Sequence, residues 1–150
     1  MFVVEVAGRR LAVEPLDLAC CAVEVASARH ALGPGVLWPD GDAAAPCALG
    51  TVDAYVLLVA GTVTRAGADT VRARCEALPE PRRVVAYGAC ATTGGPYWDS
   101  YAVVPGVSEL MPVDVVVPGC PPPPSSVIEA LAVLAAALPA AAPASEAGAR

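Results

Sequence analysis

The chain has 150 residues, 56% of them hydrophobic, and carries a formal charge of −6 from 15 acidic against 9 basic residues. This is the length of one compact domain with ample apolar material for a core. The acidic balance argues against nucleic acid, which wants a basic face, and a single histidine excludes a His-rich zinc centre.

Taken in chain order, Met1 to Glu14 alternates around Gly8 and predicts a short hairpin or extension over 1–14. Pro15-Leu16-Asp17 predicts the opening of a helix over Leu18 to Ala28, with Asp17 as its cap. Gly33 to Leu49, with Gly-Pro-Gly and Trp38-Pro39-Asp40-Gly41-Asp42, predicts irregular loop. Ala54 to Ala60 is a continuous apolar run ended by Gly61, the pattern of a strand buried on both faces. Gly67 to Leu78 predicts a helix stopped by Pro79 and Pro81. Arg83 to Tyr87 and Val113 to Val117 predict two further buried strands, ended by Gly88 and by Pro118-Gly119. Ser126 to Leu138 predicts an apolar helix, and 139–150 a flexible tail. Strands separated by crossovers imply an α/β fold, a parallel sheet covered by helices in a single domain over 15–138.

Chemistry concentrates in four cysteines at three places: Cys20-Cys21, Cys90 in Gly-Ala-Cys, and Cys120 in Pro-Gly-Cys-Pro. A disulfide is disfavoured for the tandem pair, because neighbouring Cα atoms lie about 3.8 Å apart, under the usual ~4.4–6.8 Å span. Cys90 lies three residues after Tyr87 and Cys120 three after Val117, where open α/β sheets build their sites. Four thiolates are what an iron–sulfur cluster such as [4Fe–4S] needs; on composition a structural zinc stays open as the alternative. Cys75 reads as a small buried hydrophobe, and Cys47 as a buried or surface loop residue. His30 has no evident catalytic partner, and the pairs Asp40/Asp42 and Asp99/Glu109 show no acid–base arrangement.

No apolar run reaches the ~20 residues of a spanning helix, and no basic region followed by an apolar core opens the chain. The expected compartment is therefore the cytoplasm, where thiols stay reduced.

In Leu18 to Glu24, Val59 to Thr64, Gly88 to Tyr97, Ser100 to Val107 and Pro112 to Pro122 the chain resembles the B-subunit (20 kDa subunit) of NADH-quinone oxidoreductase, respiratory complex I, a family related to NiFe-hydrogenase small subunits. The likeness covers roughly residues 16 to 138. It implies a flavodoxin-like fold and a [4Fe–4S] cluster held by Cys20, Cys21, Cys90 and Cys120. The cluster would pass electrons to quinone at the interface with a larger partner subunit, beside a neighbouring iron–sulfur subunit. It also implies peripheral attachment to the cytoplasmic side of the cell membrane through those partners, with the Gly94 to Tyr101 loop at the interface.

The family's Ser-Pro-Arg-Gln-like stretch is Ala48 to Asp53 here, its Asn-Lys-Met is Arg65-Ala66-Gly67, and its Pro-Pro-Arg-Pro is Pro121 to Pro124. These departures fit a divergent paralogue and bear on quinone coupling more than on the cluster. The alternatives are the small subunit of a membrane-associated hydrogenase-like complex, where a spaced Cys-x-x-Cys is usual instead of Cys20-Cys21, and a zinc-bearing or cluster-free structural paralogue.

Overall fold

The computed structural model describes residues 1–32 and 51–139. Its sheet begins where β-branched residues alternate: strand β1 is Phe2–Val6 and β2 is Arg9–Asp17. Ala7 and Gly8 both take positive φ (51° and 72°), the tight primed turn whose twist suits two antiparallel strands. Next come helix α1 (Cys21–Ala31), strand β3 (Ala54–Ala60), helix α2 (Ala68–Ala77) and strand β4 (Arg82–Tyr87). A short helix α3 (Ala89–Thr93), strand β5 (Val115–Val117) and helix α4 (Ser125–Ala137) complete the strands and α-helices of the described residues, with single 3-10 turns at Arg65–Gly67, Gly95–Tyr97 and Val107–Glu109.

The five strands lie in chain order, β1 antiparallel to β2 and every other neighbouring pair parallel. Alternate residues of the central strands serve opposite faces, as strand geometry requires. Val56, Leu58, Val85 and Tyr87 pack with Val25 of α1 and Leu131 and Leu134 of α4. Leu57, Val59, Val84 and Ala86 pack instead with Val71 and Cys75 of α2 and with Val104 and Val107 of the following loop. Both faces of the sheet are covered, which is why these strands read as unbroken apolar runs. This is the expected α/β, flavodoxin-like architecture.

Three expectations are corrected. The first concerns Pro15 to Asp17, which do not open a helix: β2 continues to Asp17, pairing Pro15 with Leu58 and Asp17 with Ala60. β1 reaches only as far as Val13, so Pro15 lies where β2 has no second neighbour and its missing N–H breaks no ladder. The helix starts later, at Cys21, and Cys20 takes the capping position without a side-chain hydrogen bond. β2 thereby runs through the boundary expected between residues 14 and 15, and hairpin and sheet are continuous.

The second correction is that β5 starts at Val115 and not at Val113. The Asp114 carboxylate accepts from the Val84 N–H at 2.7 Å, in place of a ladder carbonyl. The third is a shift of α4 by one residue toward the N-terminus. The expected loop at 33–49, with Cys47, and the tail from residue 140 lie outside the described residues.

Candidate metal centre

The parallel register puts Asp17, Ala60, Tyr87 and Val117 in one line across the sheet. Cys20, Cys90 and Cys120 each follow the end of a strand in that line by three residues, on β2, β4 and β5. The position of Cys20 could not be read in advance, because the strand ahead of it was expected to be helix.

The chain turns from strand into helix at Cys20 (φ −54°, ψ −31°). Adjacent side chains on a helix point about 100° apart, whereas on a strand they oppose each other. A helical start therefore lets a vicinal pair serve one place. Cys20 is exposed and Cys21 is buried, packed in the core with Val25 and Tyr87.

Two glycines make room. Gly61, just past β3, passes so close to Ala19 that a Cβ would lie 2.6 Å from its backbone nitrogen. At Gly88, φ is +93°, and a Cβ there would overlap the sulfur of Cys21. A side chain at either position would push the tandem pair away from the strand ends.

Backbone hydrogen bonds sew the other two cysteine loops together. Gly88 N–H donates to Val117 O at 2.8 Å and Ala89 N–H to Gly119 O at 2.7 Å. Cys90 follows on α3 and is buried, while Cys120 is exposed. The Tyr87 hydroxyl donates to the carbonyls of Pro122 and Pro123, each at 3.0 Å, beside Cys120. Sequence reasoning missed this contact. The available signal was the run of prolines after Cys120, which offers carbonyls and no N–H of its own.

Burial first, then Cys20 by its charge and a hydrogen bond, and the charges of Cys90 and Cys120, together push the Cys21 thiol up to about 11. Burial first, then Glu24 and Cys21, together push the Tyr87 hydroxyl up to about 12, so it remains a donor through ordinary pH. Among the described residues no three Cys, His, Asp or Glu side chains come together as ligands of a single ion. Zinc would require four sulfurs on one ion at about 2.3 Å each, whereas a [4Fe–4S] core spreads four thiolates around its irons. A set of four thiols suits the second kind of group. Cys75 lies elsewhere, buried on the opposite face of the sheet, and His30 is in the last turn of α1.

Several large hydrophobic side chains are exposed in the segments that carry the cysteines. Of the seven large hydrophobic side chains that are exposed among the described residues, five flank these loops: Leu18 and Val23 beside the tandem pair, and Tyr97, Trp98 and Tyr101 after Cys90. Tyr101 is 93% exposed, and the loop that bears it is tied to the turn after β3 by Arg65, whose Nε–H donates to Tyr101 O at 3.1 Å.

The family model described as NADH ubiquinone oxidoreductase, 20 Kd subunit, matches residues 12–134. The NADH-quinone oxidoreductase B-subunit 2 of Streptomyces griseus subsp. griseus is 44% identical over 130 residues, covering 83% of this chain and 52% of that protein. The corresponding B-subunit 1 of Salinispora tropica is 42% identical over 130 residues, covering 83% and 65%. The chain thus spans about half to two thirds of the length of these curated relatives.

Two solved structures share the fold. One is a chain of the membrane-bound sulfane sulfur reductase, an archaeal respiratory membrane complex, with a TM-score of 0.55 and 24% identity, covering 83% of this chain and 67% of that one. The other is a chain of an NAD+-reducing [NiFe]-hydrogenase in its H2-reduced state, with a TM-score of 0.53 and 20% identity, covering 89% and 94%. With the match running across the ends of all the parallel strands and through the four cysteines, the chain belongs to the NADH ubiquinone oxidoreductase 20 Kd subunit family.

Proposed function

We propose that the protein is the electron-transfer subunit of a complex I-type NADH-quinone oxidoreductase, with Cys20, Cys21, Cys90 and Cys120 as ligands of one [4Fe–4S] cluster. The observation that carries this reading is the alignment of three cysteine positions beyond three parallel strand ends, with the Cys21 thiol responding to the other three. When bound, such a cluster supplies one-electron transfer at a potential set by its charge, burial and hydrogen bonding. The chain's own residues fix the geometry. Cys21 and Cys90 form the buried wall, Cys20 and Cys120 the exposed rim, and the thiols give up their protons on ligation. The relatives' names supply the oxidoreductase setting and the quinone acceptor.

Exposed Leu18, Val23, Tyr97, Trp98 and Tyr101, all in segments that follow or flank the cysteines in the chain, support coverage by a larger subunit, since exposed apolar surface marks interaction sites. Among the described residues no helix is long and apolar enough to cross a membrane. In this reading the protein meets the cytoplasmic side of the membrane through its partners. Anaerobic purification with iron and sulfide analysis tests the assignment. About four irons per chain and a brown colour are expected, whereas a colourless chain carrying one zinc would sink it.

A further inference from the structure

We propose that Tyr87 is a positioning residue for Cys120, its hydroxyl holding the proline loop in the geometry that ligation needs. The inference rests on the reading that the four cysteines hold an iron–sulfur cluster. Tyr87 closes β4, is fully buried, and is the bulkiest of the fully buried side chains among the described residues. A ring in a core needs no hydroxyl, yet this one has its O–H aimed at Pro122 O and Pro123 O, each 3.0 Å away.

Those acceptors need an outside donor. Pro121 to Pro124 carry no N–H, so this stretch cannot close on itself through its own backbone. Pro123 O also accepts from Ser126 N–H at 3.0 Å, at the start of α4. Pro122 is buried and its carbonyl takes the Tyr87 hydroxyl. Cys90 stands three residues beyond Tyr87 and Cys120 two before Pro122. A single strand end therefore sets the position of one cysteine through the backbone and of the other through a side chain. Phenylalanine would fill the same space while leaving a buried carbonyl without its donor.

The test uses the full chain purified anaerobically with its iron. Tyr87→Phe, and Tyr87→Met as a second, more adaptable donor-free variant, should still bind iron. Each should release it to a chelator about tenfold faster, the order expected for one lost hydrogen bond, and show displaced EPR g-values of the reduced cluster. Leu57→Ala, which removes a fully buried side chain on the opposite face of the sheet, controls for lost stability and should leave the EPR spectrum unchanged. Wild-type release rates and spectra in whichever Tyr87 variant folds would overturn the proposal. So would faster release in Leu57→Ala equal to theirs with all spectra alike. A wild-type chain that binds no iron is a different failure, visible before any variant is compared, and takes the four-cysteine reading down as well.

Discussion

At the scale of single residues, the cysteines separate into two kinds by what surrounds them. Cys90→Ser and Cys120→Ser should abolish iron binding, because a hydroxyl is a poor substitute for a thiolate at an iron–sulfur site. Cys75→Ser should leave iron content intact and cost roughly 1–3 kcal/mol of stability, the price of burying a hydroxyl. Iron analysis and denaturant titration of the three variants check both statements. If Cys75 proves indispensable for iron, the ligand set is wrong. Gly88→Ala is a sharper test of the geometry. Its φ of +93° and the Cys21 sulfur beside it leave no place for a methyl group, so iron content should fall although every cysteine remains. The cysteines themselves were legible in the sequence, because glycines punctuate the strand ends ahead of Cys90 and Cys120. The part played by Tyr87 was not, since its acceptors lie 35 and 36 residues further along the chain.

At the scale of elements, the errors in reading were errors of edge. Pro15 ordinarily argues against a strand, and it is tolerated because β1 stops at Val13 and leaves that side of β2 open. The length of a neighbouring strand is a tertiary fact that local pattern does not carry. The same holds for β5, shortened because the Asp114 side chain takes the Val84 N–H. Asp114→Ala should therefore cost about 1–3 kcal/mol by leaving a partly buried donor unmet, measurable as a lower urea midpoint.

A second clip joins the hairpin to the start of β3. Asp53 accepts from the Arg10 N–H at 2.8 Å and from Arg9 Nη1 at 2.9 Å. The Arg10 N–H first, and Arg9 next, hold its carboxyl below the ordinary 3.8. A depressed acid stabilises the fold above its unfolded pKa, and that contribution is lost as pH falls through the folded one. Urea midpoints should drop on acidification below about pH 4, and Asp53→Asn should flatten that part of the profile. An unchanged acid slope in Asp53→Asn would show that the clip contributes nothing.

At the scale of the whole molecule, two finished faces contrast with one unfinished end. Helices cover both sides of the sheet, while the end bearing the cysteines keeps Trp98 68% exposed and Tyr101 93% exposed. Replacing both by serine should alter stability by less than about 0.5 kcal/mol each, as for other surface positions, while reducing recovery of the large subunit with a tagged chain from its own cells. Equal recovery would place the interface elsewhere. The fold class was legible because the buried strands announce themselves as apolar runs, whereas of these exposed side chains only the Gly94 to Tyr101 loop was expected at an interface, and that through the family resemblance.

The split between two sheltered and two outward thiols gives the centre a vulnerable side under the proposed function. Cys20 and Cys120 are the outward pair, so oxidants in solution would meet a cluster held by the four thiols from their side first, and a partner seated over those two would shield it.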